Sequence, residues 1–338
     1  MDLVTGATGA LGMHIVADLL QAGRQVRGLC RPSSDRSRPE AFLARRLSGS
    51  AWRERFAWVE GDVLDGFSLE DALSTGITRV YHAAALVSFH PKDAADMMAI
   101  NRDGTAHLVD AMLHVGTPEL VHISSVAALG RKAGEPVHED TPYEDGPEVT
   151  PYGRSKHMAE REVWRGAAEG LKVLAVHPVI ILGEGDYTRS SAALFLLVAK
   201  GLGWYPTGEN GFVSASDVAR ASRQLAEQEA WGERFVLSAE NRSYQWILSR
   251  IAEGLGKPAP NKALQGWMTG LGWRAAAIAE RITGKRAVLT RESVSNTAKV
   301  HHYQTDKLER FLQGWQYEPI ETVIRDTAAA YSASQARS

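Results

Sequence analysis

The chain opens with the stretch Asp2-Leu3-Val4-Thr5-Gly6-Ala7-Thr8-Gly9-Ala10-Leu11-Gly12, which is the part of the sequence that decides the fold. A short apolar run ends at the first glycine, and a helical pattern follows over Leu11–Ala22. Glycines at this point permit a tight turn, and the start of a helix offers unpaired N–H groups to an anion. We therefore predict a dinucleotide-binding turn, with cofactor contacts from Gly6, Thr8, Gly9, Ala10, Leu11 and Gly12.

Strand and helix patterns alternate along the first half of the chain. Runs rich in Val, Ile and Leu predict strands at Asp2–Thr5, Gln25–Cys30, Phe56–Glu60, Arg79–Ala83, Leu120–Ser124 and Lys172–Val176. Helical patterns lie between them at Ala41–Leu47, Ser68–Leu73, Ala94–Val115 and Pro151–Glu169. This alternation predicts an α/β fold, a Rossmann-type doubly wound parallel sheet with helices on both faces. Ligands of such folds bind beyond the carboxyl ends of the strands.

The later half of the chain is less regular. It predicts helices at Ser216–Glu229, Tyr244–Leu255, Thr305–Leu312 and Ile320–Tyr331, with a strand at Arg234–Leu237. We predict a Rossmann domain over residues 1–176 and 213–238. A smaller, mostly α C-terminal substrate domain takes residues 177–212 and 239–331, and residues 332–338 form a frayed tail.

Composition excludes several classes of protein. The 338 residues are 44% hydrophobic and 23% charged, with a formal net charge of −2, so neither disorder nor general binding to nucleic acid is expected. Cys30 is the single cysteine, which excludes an intrachain disulfide and a cysteine zinc cluster. The 11 histidines are scattered, and we predict no metal site.

No targeting or membrane segment is recognisable in the sequence. The first residues lack the charged and apolar regions of a signal peptide, and the apolar runs are too short to span a bilayer, so we expect a cytoplasmic protein. Residues 266–282 carry Trp267, Leu271 and Ile278 at near-helical spacing. That pattern fits an interfacial membrane helix or a helix facing the core, and its few basic residues favour the core.

The end of the second predicted strand indicates which cofactor is used. NAD enzymes place an acid there to bind the ribose 2′-hydroxyl, whereas an arginine accommodates the 2′-phosphate of NADP. This chain has Arg31, followed by Ser33, which favours NADP(H) over NAD(H). Asp62, after the third strand, is a candidate acceptor for the adenine amino group. The alternatives are a solvated loop charge for Arg31 and a loop-capping aspartate for Asp62.

A tyrosine and a lysine four residues apart form the candidate catalytic pair. On a helix, Tyr152 and Lys156 would share one face, and a cation about 4 Å away could supply the roughly 4 kcal/mol that brings a tyrosine pKa near 7. Ser124 and Ser125 end a strand upstream; we assign Ser125 to the substrate carbonyl and Ser124 to a supporting role. Either serine could instead cap the strand end. The same spacing recurs at Tyr303 and Lys307, without an upstream strand and serine, and we interpret that pair as structural.

These motifs together resemble the extended short-chain dehydrogenases/reductases. The matching features also include His82-Ala83-Ala84-Ala85, Asn101-Arg102-Asp103-Gly104-Thr105 and His177-Pro178-Val179-Ile180, and they extend over about residues 2–240. The resemblance implies that Tyr152 is the general acid/base, that Lys156 also holds the nicotinamide ribose and that Ser125 polarises the carbonyl. It further implies cofactor contacts from Val63, Ala83, Ala84, Ala85, Ser124, Pro178 and Ile180. For Asn101 it implies a structural role.

Within that family the sequence is most similar to dihydroflavonol-reductase-like and 3β-hydroxysteroid-dehydrogenase-like members. We predict an NADP-dependent oxidoreductase that transfers a hydride between nicotinamide and the carbonyl or secondary alcohol of a small apolar substrate. The alternatives are a nucleotide-sugar epimerase/dehydratase with tightly bound NAD, and a non-catalytic NADP(H)-binding sensor. Aromatic residues in the predicted substrate loops, Phe89 and Trp204 among them, either line an apolar pocket or cover the core. The resemblance also implies a possible homodimer, formed through Ala94–Val115 and Pro151–Glu169.

Overall fold

The fold is that of a computed structural model, which describes residues 1–74, 76–132, 134–264 and 297–336. Seven parallel strands form the central sheet. They are β1 (Asp2–Thr5), β2 (Val26–Cys30), β3 (Phe56–Glu60), β4 (Arg79–His82), β5 (Glu119–Ile123), β6 (Lys172–Pro178) and β10 (Arg234–Leu237). Their order across the sheet is β3-β2-β1-β4-β5-β6-β10. The predicted doubly wound parallel sheet is confirmed, and the strand order reverses between β1 and β4.

Helices cover both faces of this sheet. They are α1 (Ala10–Gln21), α2 (Ser37–Arg46), α3 (Gly66–Leu73), α4 (Ala94–Met97), α5 (Gly104–Val115), α6 (Pro151–Ala168) and α8 (Ala215–Glu227). Helix α1 packs on α8 and α2, whereas α5 packs on both α3 and α6. Both faces of the sheet are therefore buried, which explains why its strands are continuous apolar runs.

A smaller part of the molecule lies on the C-terminal side of the sequence. Its helices are α7 (Ala193–Ala199), α9 (Tyr244–Gly254) and α11 (Ile320–Gln335), whereas α10 (Asp306–Phe311) packs on β10 of the main sheet. It also holds short strands that we did not predict, namely β7 (Ile180–Leu182), β8 (Trp204–Tyr205), β9 (Glu209–Ser214), β11 (Glu240–Ser243) and β12 (Lys262–Ala263). Strands β7, β9 and β11 form one sheet, and β8 pairs with β12. A separate apolar cluster, with Phe195, Phe212 and Ile251, forms the core of this part.

Two predicted elements differ from the structure. The single helix predicted over Ala94–Val115 is interrupted by a π-helical turn, Met98–Asp103, between α4 and α5. The buried Asn101 lies in that turn and bonds the loop after β4, which accounts for the local departure from α geometry. The tail predicted to fray from residue 332 continues as helix to Gln335, where the Ser334 hydroxyl bonds the carbonyl of Tyr331.

The described residues include no helix that is both long and apolar enough to cross a membrane. The amphipathic segment 266–282 lies outside the described residues.

Candidate active site

The glycine-rich turn joins β1 to α1 and lies against the end of β4. Gly6 has a positive φ of +67°, and a Cβ there would lie 2.7 Å from the backbone nitrogen of Ala84. A Cβ on Gly12 would lie 2.0 Å from the carbonyl oxygen of Gly6. A side chain is thus excluded at both positions. At Gly6 the positive φ and the nearby backbone of Ala84 exclude it, and at Gly12 the backbone of Gly6 in the turn excludes it.

The turn has the donors that a pyrophosphate requires. Helix α1 starts at Ala10, and its N-cap, Gly9, contributes no capping side chain. No acidic residue lies in the first turn of α1. The first N–H groups of a helix have no partner within the helix, so this uncapped end has donors and a positive dipole available for an anion. The geometry therefore fits the phosphates of a dinucleotide, although the contacts predicted for Thr8, Gly9 and Leu11 stay predictions.

Arg31 and Ser33 lie in an exposed turn directly after β2. The backbone nitrogen of Arg31 donates to the Ser34 hydroxyl over 3.2 Å, and the nitrogen of Ser34 donates back to the Arg31 carbonyl over 2.9 Å. The turn is thus ordered by its own backbone, and the Arg31 side chain is exposed to solvent. Arg36, which the sequence reasoning did not identify, contributes a second cation at this edge and lies 3.1 Å from Glu60.

Asp62 follows β3 and bonds its own loop. One of its carboxylate oxygens accepts from the backbone nitrogen of Leu64 over 3.1 Å, and its backbone nitrogen donates to Ser68 over 3.0 Å. The loop-capping role is therefore present, and binding of adenine by the same carboxylate stays a prediction. The neighbouring Val63 is buried against Gly104, where a Cβ would lie 2.8 Å from its side chain.

The structure brings Ser125, Tyr152 and Lys156 together at the carboxyl end of β5. Ser125 starts a short 3₁₀ turn, Val126–Ala128, and its hydroxyl accepts from the backbone nitrogen of Ala127 over 3.1 Å. Tyr152 and Lys156 lie one turn apart near the start of α6, which Thr150 caps and Pro151 opens. The Ser125 hydroxyl lies next to the Tyr152 phenol and favours its ionised form. The Lys156 ammonium donates to the carbonyl of Ile123 over 2.8 Å.

Burial dominates the protonation of this pair. It raises the pKa of Tyr152 above its usual value of 10.0, although the Ser125 hydroxyl acts in the opposite direction. Burial also lowers the pKa of Lys156 to about 8, while the Glu160 carboxylate acts against that shift. Our expectation that Lys156 lowers the tyrosine pKa differs from this geometry, since the ammonium donates to a strand carbonyl and burial has the largest effect on the phenol. Tyr152 is thus a protonated donor at neutral pH.

Other predicted cofactor contacts lie at or after the carboxyl ends of β4 and β6, the strands on either side of β5. Ala83, Ala84 and Ala85 follow β4, Pro178 ends β6 and Ile180 begins β7. Asn101 holds the loop after β4, because its side chain bonds both the nitrogen and the carbonyl of Leu86 and the hydroxyl of Ser155 on α6. Such bonds give Asn101 the structural place that the resemblance implied. They also fix the alanine loop relative to the helix that carries Tyr152.

Sequence reasoning missed a buried acid below the catalytic pair. Glu160 lies one turn after Lys156 on α6 and is 4% exposed. Its carboxylate accepts from the Ser124 hydroxyl and from His177, each over 2.7 Å. The signal that could have identified it is its position, four residues after Lys156 on the helix face that bears the lysine.

The structure describes no cluster of three or more His, Cys, Asp or Glu side chains that could hold a metal ion, with residues 265–296 outside that description.

Comparison with known proteins identifies the family. Residues 3–238 match the model of the NAD dependent epimerase/dehydratase family. The chain is 33% identical over 267 residues to "Sterol demethylase protein B" of Methylococcus capsulatus, a match that covers 78% of this chain and 76% of that protein. It is 28% identical over 236 residues to "Cinnamoyl-CoA reductase 1" of Petunia hybrida, covering 66% and 68% of the two chains.

A solved structure shares the whole architecture. The crystal structure of gox2253 superposes with a TM-score of 0.81 at 29% identity, covering 99% of this chain and 98% of that one. The family match extends over more than two thirds of the sequence and includes the glycine turn, Ser125, Tyr152 and Lys156. The chain is therefore an enzyme of the NAD dependent epimerase/dehydratase family, one of the extended short-chain dehydrogenases/reductases that its motifs predict.

Proposed function

We propose that this enzyme is an NADP-dependent carbonyl reductase that acts on a small, apolar substrate. The observation that carries the proposal is the contact between the Ser125 hydroxyl and the protonated Tyr152 phenol, with the Lys156 ammonium one helical turn away. Two hydroxyl donors at one point can both reach a single carbonyl oxygen. A carbonyl is also the group whose reduction requires a proton at oxygen.

The chain's own residues supply binding and the proton. Ser125 is held by the 3₁₀ turn, so its hydroxyl can donate to the substrate oxygen without reorganisation. Tyr152 gives its phenolic proton to that oxygen as negative charge develops there. Lys156 donates to the Ile123 carbonyl and so holds the start of α6 against the end of β5. The bound nicotinamide supplies the hydride.

The residues that would hold the cofactor follow the carboxyl edge of the sheet. The uncapped start of α1 would hold the pyrophosphate, and Asp62 the adenine. Arg31 and Ser33, with Arg36 nearby, would bind the 2′-phosphate of NADP, since a guanidinium matches phosphate geometry. Ala83, Ala84, Ala85 and Pro178 would line the nicotinamide side, where small side chains leave room for a flat ring.

Apolar side chains next to Tyr152 support an apolar substrate. Phe89 lies 6.5 Å from the Tyr152 ring in an edge-to-face arrangement and is 41% exposed, as is Val87. Apolar groups left exposed beside a catalytic hydroxyl are suited to contact a ligand. The names of two relatives, which refer to a sterol and to a cinnamoyl thioester, support the same class of molecule.

Cofactor titration tests the proposal. We expect cofactor-stripped protein to bind NADPH at least about tenfold more tightly than NADH, a difference of about 1.4 kcal/mol, and Arg31→Ala to abolish that preference. The matched control is Arg325→Ala, which removes an arginine that is 70% exposed on α11 and should change nothing. Equal binding of both cofactors, or NAD that cannot be stripped, would favour the nucleotide-sugar epimerase/dehydratase alternative. Binding without turnover across a carbonyl panel would favour the sensor.

We also propose a homodimer formed through the outer faces of α5 and α6. These two helices pack against each other, and together they could form an interface with a second copy. Sedimentation of the protein at several concentrations tests this, since a monomer at all concentrations would exclude it. The cytoplasmic location rests on the sequence and stays a prediction.

A further inference from the structure

The buried carboxylate of Glu160 has four polar partners. Ser124 and His177 donate to one oxygen over 2.7 Å each. On the other oxygen, the Trp164 indole donates over 3.0 Å and the Arg234 guanidinium lies 3.1 Å away. The carboxylate thus has partners from α6 and from the strands β5, β6 and β10. Loss of one partner of a buried, fully bonded charge is costly, so this arrangement fixes the elements that carry it.

Two hydrogen bonds, one of them to this carboxylate, fix the catalytic helix to the residues just before Ser125. Lys156 donates to Ile123, and one turn later Glu160 accepts from Ser124, the next residue along the chain. Both bonds therefore run from α6 to the last residues before the catalytic serine. Together they set the distance between the Ser125 hydroxyl, at the end of β5, and the Tyr152 phenol, at the start of α6.

The same carboxylate offsets the cost of burying the lysine. Lys156 is 2% exposed, and Glu160 is a negative charge that faces it from one turn away. His82 on β4 and His122 on β5 also lie near the ammonium, and Tyr152 lies one turn before the lysine on α6. The tyrosine is protonated, and burial keeps the pKa of His82 at about 3 and that of His122 well below its usual value, so these groups add no charge at neutral pH. Arg234 and the imidazole of His177 lie on the far side of Glu160.

We propose that Glu160 is a positioning residue of the active site, one that clamps α6 to the end of β5 through Ser124 and stabilises the positive charge of Lys156. The inference rests on the proposed function only for its kinetic consequences. These two roles can be separated by mutation. The bond to Ser124, which we call the clamp, depends on the length of the Glu160 side chain, whereas the effect on Lys156 depends on the negative charge of Glu160.

Titration of the Lys156 side chain tests the charge without turnover. The ¹³Cε signal of the lysine is assigned by its loss in Lys156→Met and followed against pH by NMR. We expect a midpoint of about 8 in the wild-type protein. In Glu160→Gln it should fall by about one pH unit, because a nearby opposite charge has been removed. Glu162→Gln is the matched control, because it removes an acid from the same helix that pairs with Arg165, and it should leave the midpoint unchanged.

Kinetics test the clamp. Ser124→Ala, which removes the bond and leaves the charge, should lower kcat about tenfold without moving the lysine midpoint. Glu160→Asp keeps the charge but shortens the reach, so it should behave in the same way. Together with Ser124→Ala it still tests the clamp should Glu160→Gln fail to fold. The proposal is overturned by a folded Glu160→Gln protein with the wild-type lysine midpoint, or by wild-type kcat in both Ser124→Ala and Glu160→Asp. A wild-type protein that reduces no carbonyl would refute the proposed function, while the lysine titration would still decide the role of Glu160.

Discussion

The chain contains two tyrosine–lysine pairs with the same spacing, and the structure places them in opposite environments. Tyr152 and Lys156 both lie on α6, where the lysine is buried and bonded to Ile123. Tyr303 precedes α10 in an extended segment that bridges Val137, so it shares no helix face with Lys307. The spacing therefore has chemical meaning only where a helix carries both residues.

The two lysines differ as much as the two tyrosines. The Lys307 ammonium lies 2.7 Å from the Glu233 carboxylate and 4.9 Å from the centre of the Phe235 ring, with 31% of its side chain exposed. Both contacts compensate its charge at the surface. The Tyr303 phenol is buried and has no hydrogen-bond partner among the described residues, so no neighbouring group is placed to exchange a proton with it. These contacts agree with our structural interpretation of the second pair.

The largest expected difference between the pairs is in turnover. Tyr152→Phe should reduce kcat for carbonyl reduction by about 10³, within the range for loss of a general acid, because the phenol next to Ser125 is removed. Tyr303→Phe removes a hydroxyl without a partner and should leave kcat close to that of the wild type. Steady-state NADPH oxidation of both variants checks this. Similar losses in the two would refute the assignment of roles.

The serine next to Tyr152 gives the next largest effect. Ser125→Ala should lower kcat about 10²-fold, because one of two donors to the developing oxyanion is lost. The matched control is Ser334→Ala, which removes a hydroxyl bonded to a helix carbonyl on α11. Kinetics with one carbonyl substrate at saturating NADPH measure both. A fully active Ser125→Ala protein would mean that the Ser125 hydroxyl serves only to cap the turn, by accepting from the backbone nitrogen of Ala127.

The pH dependence of the first pair should follow its lysine. Lys156 is charged below its pKa of about 8 and neutral above it. Tyr152, whose pKa is raised, stays protonated over this range. The value of kcat/KM for NADPH should thus be constant on the acid side and fall about tenfold per pH unit above the lysine pKa. A profile that rises through this range would mean that the reaction needs the neutral lysine.

The smallest expected effect is on stability, and it has opposite signs in the two pairs. Lys156→Met removes a buried ammonium and should stabilise the fold by about 1–2 kcal/mol, after loss of the bond to Ile123. Lys307→Met breaks a partly exposed ion pair and should destabilise it by less than about 1 kcal/mol. Thermal unfolding of the two variants at pH 7 checks the signs. Destabilisation of both variants would mean that Lys156 increases the free energy of unfolding rather than lowering it.

The sequence was sufficient for much of the fold. The strands of the parallel sheet follow continuous apolar runs, and β1, β3 and β10 begin and end as predicted. A parallel strand that is buried on both faces is apolar along its length, so it can be recognised from its own residues. The strands β7, β8, β11 and β12 were missed because two to four residues are too few to form a clear apolar pattern, and β9 was missed because its first half, Glu209-Asn210-Gly211, is not apolar. The π-helical turn at Asn101 depends on bonds to Leu86 and Ser155 that are distant in sequence.

The site was predictable in its residues but less so in its electrostatics. Spacing brings Tyr152 and Lys156 to one helix face, and the end of β5 brings Ser125 to them. Sequence could not show that the ammonium bonds Ile123 or that Glu160 lies buried beneath it, because both depend on how α6 packs on the sheet. Burial, which has no sequence signature at a single residue, then decides both pKa values.

The central claim is that the Tyr152 pair, and not the Tyr303 pair, performs carbonyl reduction with NADPH. Its most direct test is transfer of deuterium to a ketone from NADPH that carries deuterium at both hydrogen positions of the nicotinamide C4, with the product analysed by mass spectrometry. We predict label on the carbinol carbon with the wild-type protein and with Tyr303→Phe, and about 10³-fold slower labelling with Tyr152→Phe. Unimpaired labelling by Tyr152→Phe, or unlabelled product from the wild type, would contradict the account.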